Sequence, residues 1–240
     1  TTHTGTVTLT DAPTLAQLVA INAATTGAIT LNVTNGALSG SAANLVSAFD
    51  GSVTTHTGTV EITDAPSVTQ LVTINAATTG AITLAVTNGA LSGSAANLVL
   101  AFAGTVTTHT GTVAVTDALS VANANIIDAA SSGVITATIT DDATDLATLT
   151  GTGNAYAITL NNDDAATLAE LVTINAATTG AITLNALTIA ANFSGSAANL
   201  VSAFDGSVTT HTGTVTITDA PSVAQLVTIN AASTGAITPN

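Results

Sequence analysis

Four histidines stand in copies of one phrase, TTHTGTV, at His3, His56, His109 and His211. Imidazole is a common metal ligand, and zinc requires ligand nitrogens at about 2.0–2.1 Å. Equivalent residues two rungs apart in a stack of parallel strands would be separated by about 9.5 Å, and the sequence has no cysteine. A zinc site shared within the chain is therefore not expected. We predict that each histidine bonds nearby backbone in a loop, with contact to another chain as the alternative.

The carboxylates follow two patterns. The first group comes after short apolar strands, where negative charge favours the positive end of a helix: Asp11, Asp64, Asp117 and Asp219. The second group crowds an irregular region, with Asp145 beside Asp141, Asp142, Asp163 and Asp164. Because the sequence has no lysine or arginine, a hard cation with oxygen ligands would relieve the repulsion. We predict Asp141, Asp142, Asp163 and Asp164 as a candidate Ca²⁺ site, with solvated loop carboxylates as the alternative.

The composition excludes several classes of function. The chain has 240 residues, 14 acidic side chains and no basic ones, for a formal charge of −14. Such a chain cannot neutralise phosphates, so nucleic-acid partners are not expected. No apolar run approaches the roughly 18 residues that span a bilayer, so membrane insertion is not expected.

Catalytic motifs are also missing from the sequence. No thiol nucleophile, G-x-S-x-G or H-E-x-x-H phrase occurs. We therefore predict that the protein is not an enzyme. The one enzymatic alternative is a carboxylate pair, such as Asp141 and Asp163, acting on a glycan.

The sequence is built from internal repeats. The first three histidines are 53 residues apart, and a second phrase, LVTINAATTGAIT or a near copy, places its glycine at equivalent points: Gly27, Gly80, Gly133, Gly180 and Gly235. Self-similarity at this period indicates a solenoid or another repeat array. The chain starts and stops inside a repeated phrase, so we expect it to be part of a longer polypeptide.

Each repeat predicts strands and helices in alternation. Segments such as Thr6–Thr10 alternate apolar and polar residues, which is typical of a strand with one buried face. Capping boxes then predict helix starts at Thr14/Gln17, Ser67/Gln70, Thr167/Glu170 and Ser222/Gln225. A third repeated phrase, SGSAANLVSAF, predicts a shorter helix that begins at a serine cap.

These elements predict an α/β solenoid of about ten strand–helix coils with a parallel β-sheet. The alternative is a right-handed parallel β-helix. One repeat solenoid is expected over residues 1–240, with irregular coils at 137–170 and a loop insertion at 186–193.

Two further columns of polar residues repeat with the same period. Asparagines on the apolar face of the longer helices are predicted to bind the backbone of the next coil: Asn22, Asn75, Asn175 and Asn230, with Asp128 in a degenerate copy. Threonines are predicted to hold one outward strand position: Thr8, Thr30, Thr83, Thr136, Thr159, Thr183, Thr216 and Thr238. A regular threonine ladder could order water, so ice binding is one hypothesis, and a plain solvent-facing strand is the alternative.

The phrases VTITDAPSVAQLVTINAASTGAIT (215–238) and SGSAANLVSAFDGSV (194–208) resemble the Ala/Thr/Gly/Asp-rich tandem repeats of very large bacterial, notably cyanobacterial, surface and secreted proteins. The resemblance implies an extracellular or cell-surface location and a role in adhesion, a sheath or a filament. The calcium-binding nonapeptide GGxGxD is missing. We predict a structural repeat segment of a filament, sheath or adhesin stalk, whose partners are further copies of itself, the rest of a longer chain, or glycans. The alternative is a binding module that presents a site for Ca²⁺, a glycan or ice.

Overall fold

A computed structural model describes residues 2–32, 36–161 and 163–239. The chain is an α/β protein in which strands alternate with helices and every pairing of named strands with a described register is parallel. This confirms the predicted class. The all-β alternative is wrong, because the alanine-rich capped phrases form helices, as their high helix propensity favours.

The strands are short, mostly of two or three residues. Their bounds are β1 Val7–Leu9, β2 Ile29–Leu31, β3 Leu38–Gly40, β4 Val60–Ile62, β5 Ile82–Leu84, β6 Leu91–Gly93, β7 Val113–Ala118, β8 Ile135–Asp141, β9 Ala155–Leu160, β10 Ile182–Thr183, β11 Phe193–Gly195, β12 Val215–Ile217 and β13 Ile237–Thr238.

The helices are of two main lengths, matching the two repeated phrases. Their bounds are α1 Leu15–Ala24, α2 Ala42–Phe49, α3 Val68–Ala77, α4 Ala95–Ala101, α5 Val121–Ala130, α6 Ala143–Leu146, α7 Leu168–Ala177, α8 Ala186–Ala190, α9 Ala197–Phe204 and α10 Val223–Ala232. None of these helices is long and apolar enough to cross a membrane, within the part of the chain that the structure describes.

All four predicted capping boxes are confirmed. In α1, α3, α7 and α10 the serine or threonine cap accepts from the backbone N–H three residues on, and the glutamine or glutamate there reaches back to the cap. Each box satisfies N–H groups that have no partner within the helix. The serine caps of the shorter helices α2, α4 and α9 are confirmed as well.

The chain divides into two compact units. The first comprises Thr1–Ala114 and Ala130–Gly133, and the second comprises Val115–Ala129 and Val134–Asn240. In the first unit β1 pairs with β2, and β4 pairs with β3 and β5. Each paired residue lies 22 positions beyond its partner, as in Val60 and Ile82. Helices α1 to α4 pack in sequence order, and buried leucines such as Leu45 and Leu71 form the core.

The second unit has the same plan with an irregular stretch. There β9 pairs with β8 and β10, and β12 pairs with β11 and β13. The spacing between paired residues is 22 at Phe193 and Val215 but 19 at Ile139 and Ile158. The stretch 137–170 therefore departs from the repeat, as its sequence indicates, through a longer strand β8 and the one-turn helix α6.

The loop predicted at 186–193 contains helix α8 instead. Asn185 caps this helix, because its side-chain oxygen accepts from the N–H of Thr188 at 2.7 Å. The same amide donates to the backbone oxygens of Asn161 and Asp164. Once capped, the segment Ala-Leu-Thr-Ile-Ala forms a single turn rather than an open loop.

Glycines let successive strand–helix segments approach closely. A Cβ atom built on Gly80 would overlap the carbonyl oxygen of Gly58, and Gly27 stands in the same relation to Gly5. The equivalent pairs Gly133/Gly111 and Gly235/Gly213 repeat this contact. Only glycine permits such an approach of two backbones, which explains why the repeated phrase carries a glycine at this point.

Candidate functional site

The repeated polar side chains form one set of contacts, which we call the segment ties: the buried histidines, the helix asparagines and the strand-end aspartates that bind a neighbouring strand–helix segment. Their bonds join residues 20 to 30 positions apart. These are the side chains in the sequence that could coordinate a metal ion or take part in acid–base chemistry. Their partners in the folded protein therefore decide whether they are available for such a function.

The histidine ties lie inside the protein. His56, His109 and His211 are 3%, 2% and 0% exposed, whereas His3 is exposed. The Nε2 atom of His56 is 2.6 Å from the carbonyl oxygen of Gly36. In His211 the Nε2 atom is 2.8 Å from the carbonyl oxygen of Ala191. This confirms the predicted backbone contact for His56 and His211, and burial separates the imidazoles of His56, His109 and His211 from any other chain.

Phenylalanine rings enclose the same imidazoles. The ring centroids of Phe49 and His56 are 5.9 Å apart, and those of Phe193 and His211 are 4.8 Å apart. Burial lowers the pKa of His56, His109 and His211, and backbone hydrogen bonds offset part of that effect. One ring nitrogen each of His56 and His109 has no hydrogen-bond partner among the described residues. These are neutral structural side chains.

The asparagine ties confirm the predicted role for Asn22, Asn75 and Asn175. The Asn75 amide lies 3.0, 3.1 and 2.7 Å from the carbonyl oxygens of Leu100, Ala101 and Ala103. Asn22 contacts the end of α2 in the same way, and Asn175 donates to Asp205 at 3.0 Å. Each amide thereby satisfies carbonyls at the end of the next short helix, which lack partners within that helix.

The aspartate ties act on a different helix from the one predicted. The carboxylate of Asp64 accepts from the N–H of Ala42 at 2.8 Å, and Asp219 accepts from Ala197 at 2.8 Å. These N–H groups open α2 and α9, the short helices of the preceding segments, rather than the helices that follow the aspartates. Negative charge at a helix N-terminus is the correct physical reason, but sequence position alone did not indicate which helix.

Asn154 is a tie that sequence reasoning missed. Its backbone pairs with Thr178 in the position that the histidines occupy in the regular repeats. Its amide donates to Asp128 at 2.9 Å, while its side-chain oxygen accepts from the N–H of Ile135 at 2.9 Å. Asparagine supplies both a donor and an acceptor, so it replaces histidine. In the phrase GTGNAYAIT, the position of Asn154 two residues before Tyr156 was the only indication of this role.

The structure brings together part of the predicted calcium site. Carboxylate oxygens of Asp141, Asp142 and Asp145 lie within 4.8 Å of one another, and among the described residues this group includes neither Asp163 nor Asp164. The Asp142 carboxylate caps α6 by accepting from the Asp145 N–H at 2.8 Å, and Asp141 accepts from the Asp142 N–H at 3.1 Å. Two of the three carboxylates therefore each accept one hydrogen bond from a backbone N–H group.

The threonine column is interrupted and differs at one position from the prediction. Thr8 pairs with Thr30, Thr159 with Thr183, and Thr216 with Thr238. At other positions of the column the strands carry Ser39, Glu61 and Ser194 instead of threonine. On the β8 side the partner of Thr159 is Thr140, whereas Thr136 pairs with Ala155. The placement of Thr136 is therefore wrong, because the spacing of 19 residues between β8 and β9 shifts the register.

The fold and the ties define an α/β protein of alternating strand–helix units whose repeated phrases contribute to packing between segments. Comparison with known protein families, with curated proteins and with solved structures finds no match for this chain. The resemblance to bacterial surface repeats therefore stays a prediction from its phrases.

Proposed function

We propose that this chain is a structural repeat segment of an extracellular filament, sheath or adhesin stalk, without catalysis. In this proposal its segments wind into an α/β solenoid of about ten coils. The observation that carries the proposal is the use of the segment ties. Side chains such as those of His56, Asn75 and Asp64, which could coordinate a metal ion or take part in acid–base chemistry, instead bind the backbone of a neighbouring segment.

Three kinds of contact support a solenoid. Parallel strand partners follow at 22-residue steps in the regular segments, short and long helices pack in order within each unit, and glycines such as Gly27 and Gly80 allow close backbone approach. Segments that contact only their immediate neighbours make stability a sum of local terms. An array of this kind can be lengthened without redesign, which suits a stalk or filament.

Insertion of further repeats tests the solenoid. Chains with one or two extra copies of residues 54–106 inserted after Val106 would be compared with the original by small-angle X-ray scattering. Each copy adds two coils, so the length should increase by about 10 Å per copy at a spacing of about 4.8 Å per strand. The cross-section should stay constant. A cross-section that grows with each copy would overturn the solenoid.

Electron microscopy tests the assembly and surface role. We expect the purified protein at increasing concentration to form end-to-end rods, and we expect an antibody raised against it to label the surface of intact source cells. Isolated particles at all concentrations would contradict the filament. Labelling only after permeabilisation would contradict the surface location.

The alternative function, a module that binds Ca²⁺, has narrower support in the grouping of Asp141, Asp142 and Asp145. Its test is calorimetric titration with CaCl₂ at constant ionic strength. The matched variant is Asp145→Asn, which removes one charge while leaving the Asp142 cap in place. Heat of binding that this variant abolishes would establish the module, and an absence of heat would eliminate it.

A further inference from the structure

The last helix of the second unit exposes an apolar surface, which we call the α10 face: Val223, Leu226, Val227, Asn230 and Ile237, beside Pro239. Val223 is 78% and Val227 is 63% exposed, the largest values for large apolar side chains among the described residues. A contiguous apolar surface of this kind normally marks a binding site. The structure itself contains covered copies of the same surface, and these show what fits it.

Helix α3 is the covered copy. Its sequence from the cap, SVTQLVTINAA, differs from the α10 sequence SVAQLVTINAA at one position. Val68 of α3 occupies the position of Val223 but is 5% exposed, and Leu71 is fully buried where Leu226 is half-buried. The difference arises because α3 packs against α4, the short helix of the following segment. The same residues are therefore buried when such a segment is present.

The covering segment matches this surface through a glycine. Gly93 closes strand β6, and a Cβ built there would lie 3.1 Å from Cγ1 of Val68. Gly40 meets Leu15 of α1 and Gly195 meets Leu168 of α7 in the same manner. All three glycines stand in the phrase Ser-Gly-Ser-Ala-Ala-Asn-Leu-Val. The phrase thus places a glycine where the first side chain of the long helix must fit.

The asparagine tie completes the match. The Asn75 amide nitrogen lies within hydrogen-bond distance of the carbonyl oxygens of Leu100, Ala101 and Ala103 at the end of α4. Asn230 occupies the same position in α10 and is exposed. A short helix laid on α10 would bring three carbonyls to this amide, and a generic apolar partner would not.

We propose that the α10 face binds a further segment of the Leu-Ser-Gly-Ser-Ala-Ala-Asn-Leu-Val type, with its glycine over Val223 and the end of its helix on Asn230. This inference rests on the proposed repeat array and names what binds the α10 face. The partner is a strand–helix segment of this repeat sequence, seated as β6 and α4 are seated on α3.

Pro239 changes one contact of this interface. In the covered copy the N–H of Leu84, at the equivalent position, donates to the Thr107 hydroxyl at 3.2 Å. Proline has no N–H, so that bond cannot form. The two bonds of Ile82, with Thr105 at 2.8 Å and Thr107 at 3.0 Å, remain possible for Ile237. The α10 face therefore binds its partner with one hydrogen bond fewer than α3 does.

The test extends the full chain after Asn240 with the sequence of residues 86–108, VTNGALSGSAANLVLAFAGTVTT, which continues the register because Asn240 is equivalent to Ala85 and which includes the equivalents of Thr105 and Thr107. We expect Tm to rise by at least about 4 °C. An extension that carries leucine at its Gly93-equivalent position should give no rise. Substitution Pro239→Leu should raise Tm further in the extended chain only.

Asn230→Ala provides the decisive comparison. It should lower Tm in the extended chain and leave the 240-residue chain unchanged, because only the extension supplies carbonyls to the amide. Equal Tm for the intact and the leucine-bearing extensions would overturn the proposal, as would an equal effect of Asn230→Ala in both backgrounds. The scattering series with inserted repeats does not involve the α10 face, so failure of the proposed solenoid would be seen separately.

Discussion

At the scale of single residues, glycine decides how closely segments can stack. Substitution Gly80→Ala forces a Cβ against the Gly58 carbonyl, and two backbones cannot move apart without breaking neighbouring ladder bonds. We expect a loss of about 3 kcal/mol or more in the free energy of unfolding, measured by urea denaturation.

The matched control for this prediction is Gly51→Ala. Gly51 has a φ of +70° but open space around the position of a Cβ, so it carries only the conformational penalty of about 1–2 kcal/mol. If the two variants lose equal stability, crowding between the two backbones does not explain the requirement for glycine at position 80.

Three buried histidines predict a stability that falls in mild acid. Burial lowers the pKa of His56, His109 and His211 in the folded state, so the unfolded chain binds more protons as the pH drops below about 6.5. Their contribution is fully present above that pH and is lost below it, with a slope of at most about 1.4 kcal/mol per pH unit for each histidine.

Urea denaturation between pH 8 and pH 5 measures this slope. The variant His211→Gln removes one titrating group and keeps an amide donor for the Ala191 carbonyl. We expect its slope to be shallower than that of the original chain, with the difference confined to the range below pH 6.5. Parallel curves over the whole range would show that His211 does not contribute.

At the scale of elements, a carboxylate from one segment caps the helix of the segment before it. Asp64→Ala leaves the N–H of Ala42 without its acceptor and removes negative charge from the start of α2. We expect a loss of about 1 kcal/mol and faster amide exchange in the first turn of α2, measured by hydrogen exchange.

The control for the cap is Asp11→Ala. Asp11 ends the corresponding strand β1, and no helix precedes it among the described residues. Its replacement should leave the stability within about 0.5 kcal/mol. A loss equal to that of Asp64→Ala would show that the charge acts on the following helix instead, which was the prediction from sequence.

The elements also show which features could be predicted from sequence. Capping boxes are local, since a cap and its partner lie three residues apart, and all four were predicted correctly. Register across strands is not local. Thr140, rather than Thr136, faces Thr159 because the step between paired residues is 19 there and 22 in the regular segments. For the same reason the role of Asn154 was not predicted, because its equivalence to the histidines depends on which strand its segment pairs with.

At the scale of the whole molecule, a charge of −14 without any basic side chain means that every long-range interaction between ionised side chains is repulsive above the histidine pKa range. Repulsion is greatest in the compact state, and salt screens it over about 10 Å at 0.1 M. We therefore expect Tm at pH 8 to rise between 10 and 200 mM NaCl and then to level off.

The variant Asp50→Asn/Asp205→Asn removes two charges from helix C-termini, where they oppose the helix dipole, and keeps acceptors for the Gly51 and Gly206 N–H groups. It should melt higher at 10 mM NaCl and respond less to salt. A flat salt dependence in both chains would show that the repulsion does not limit stability.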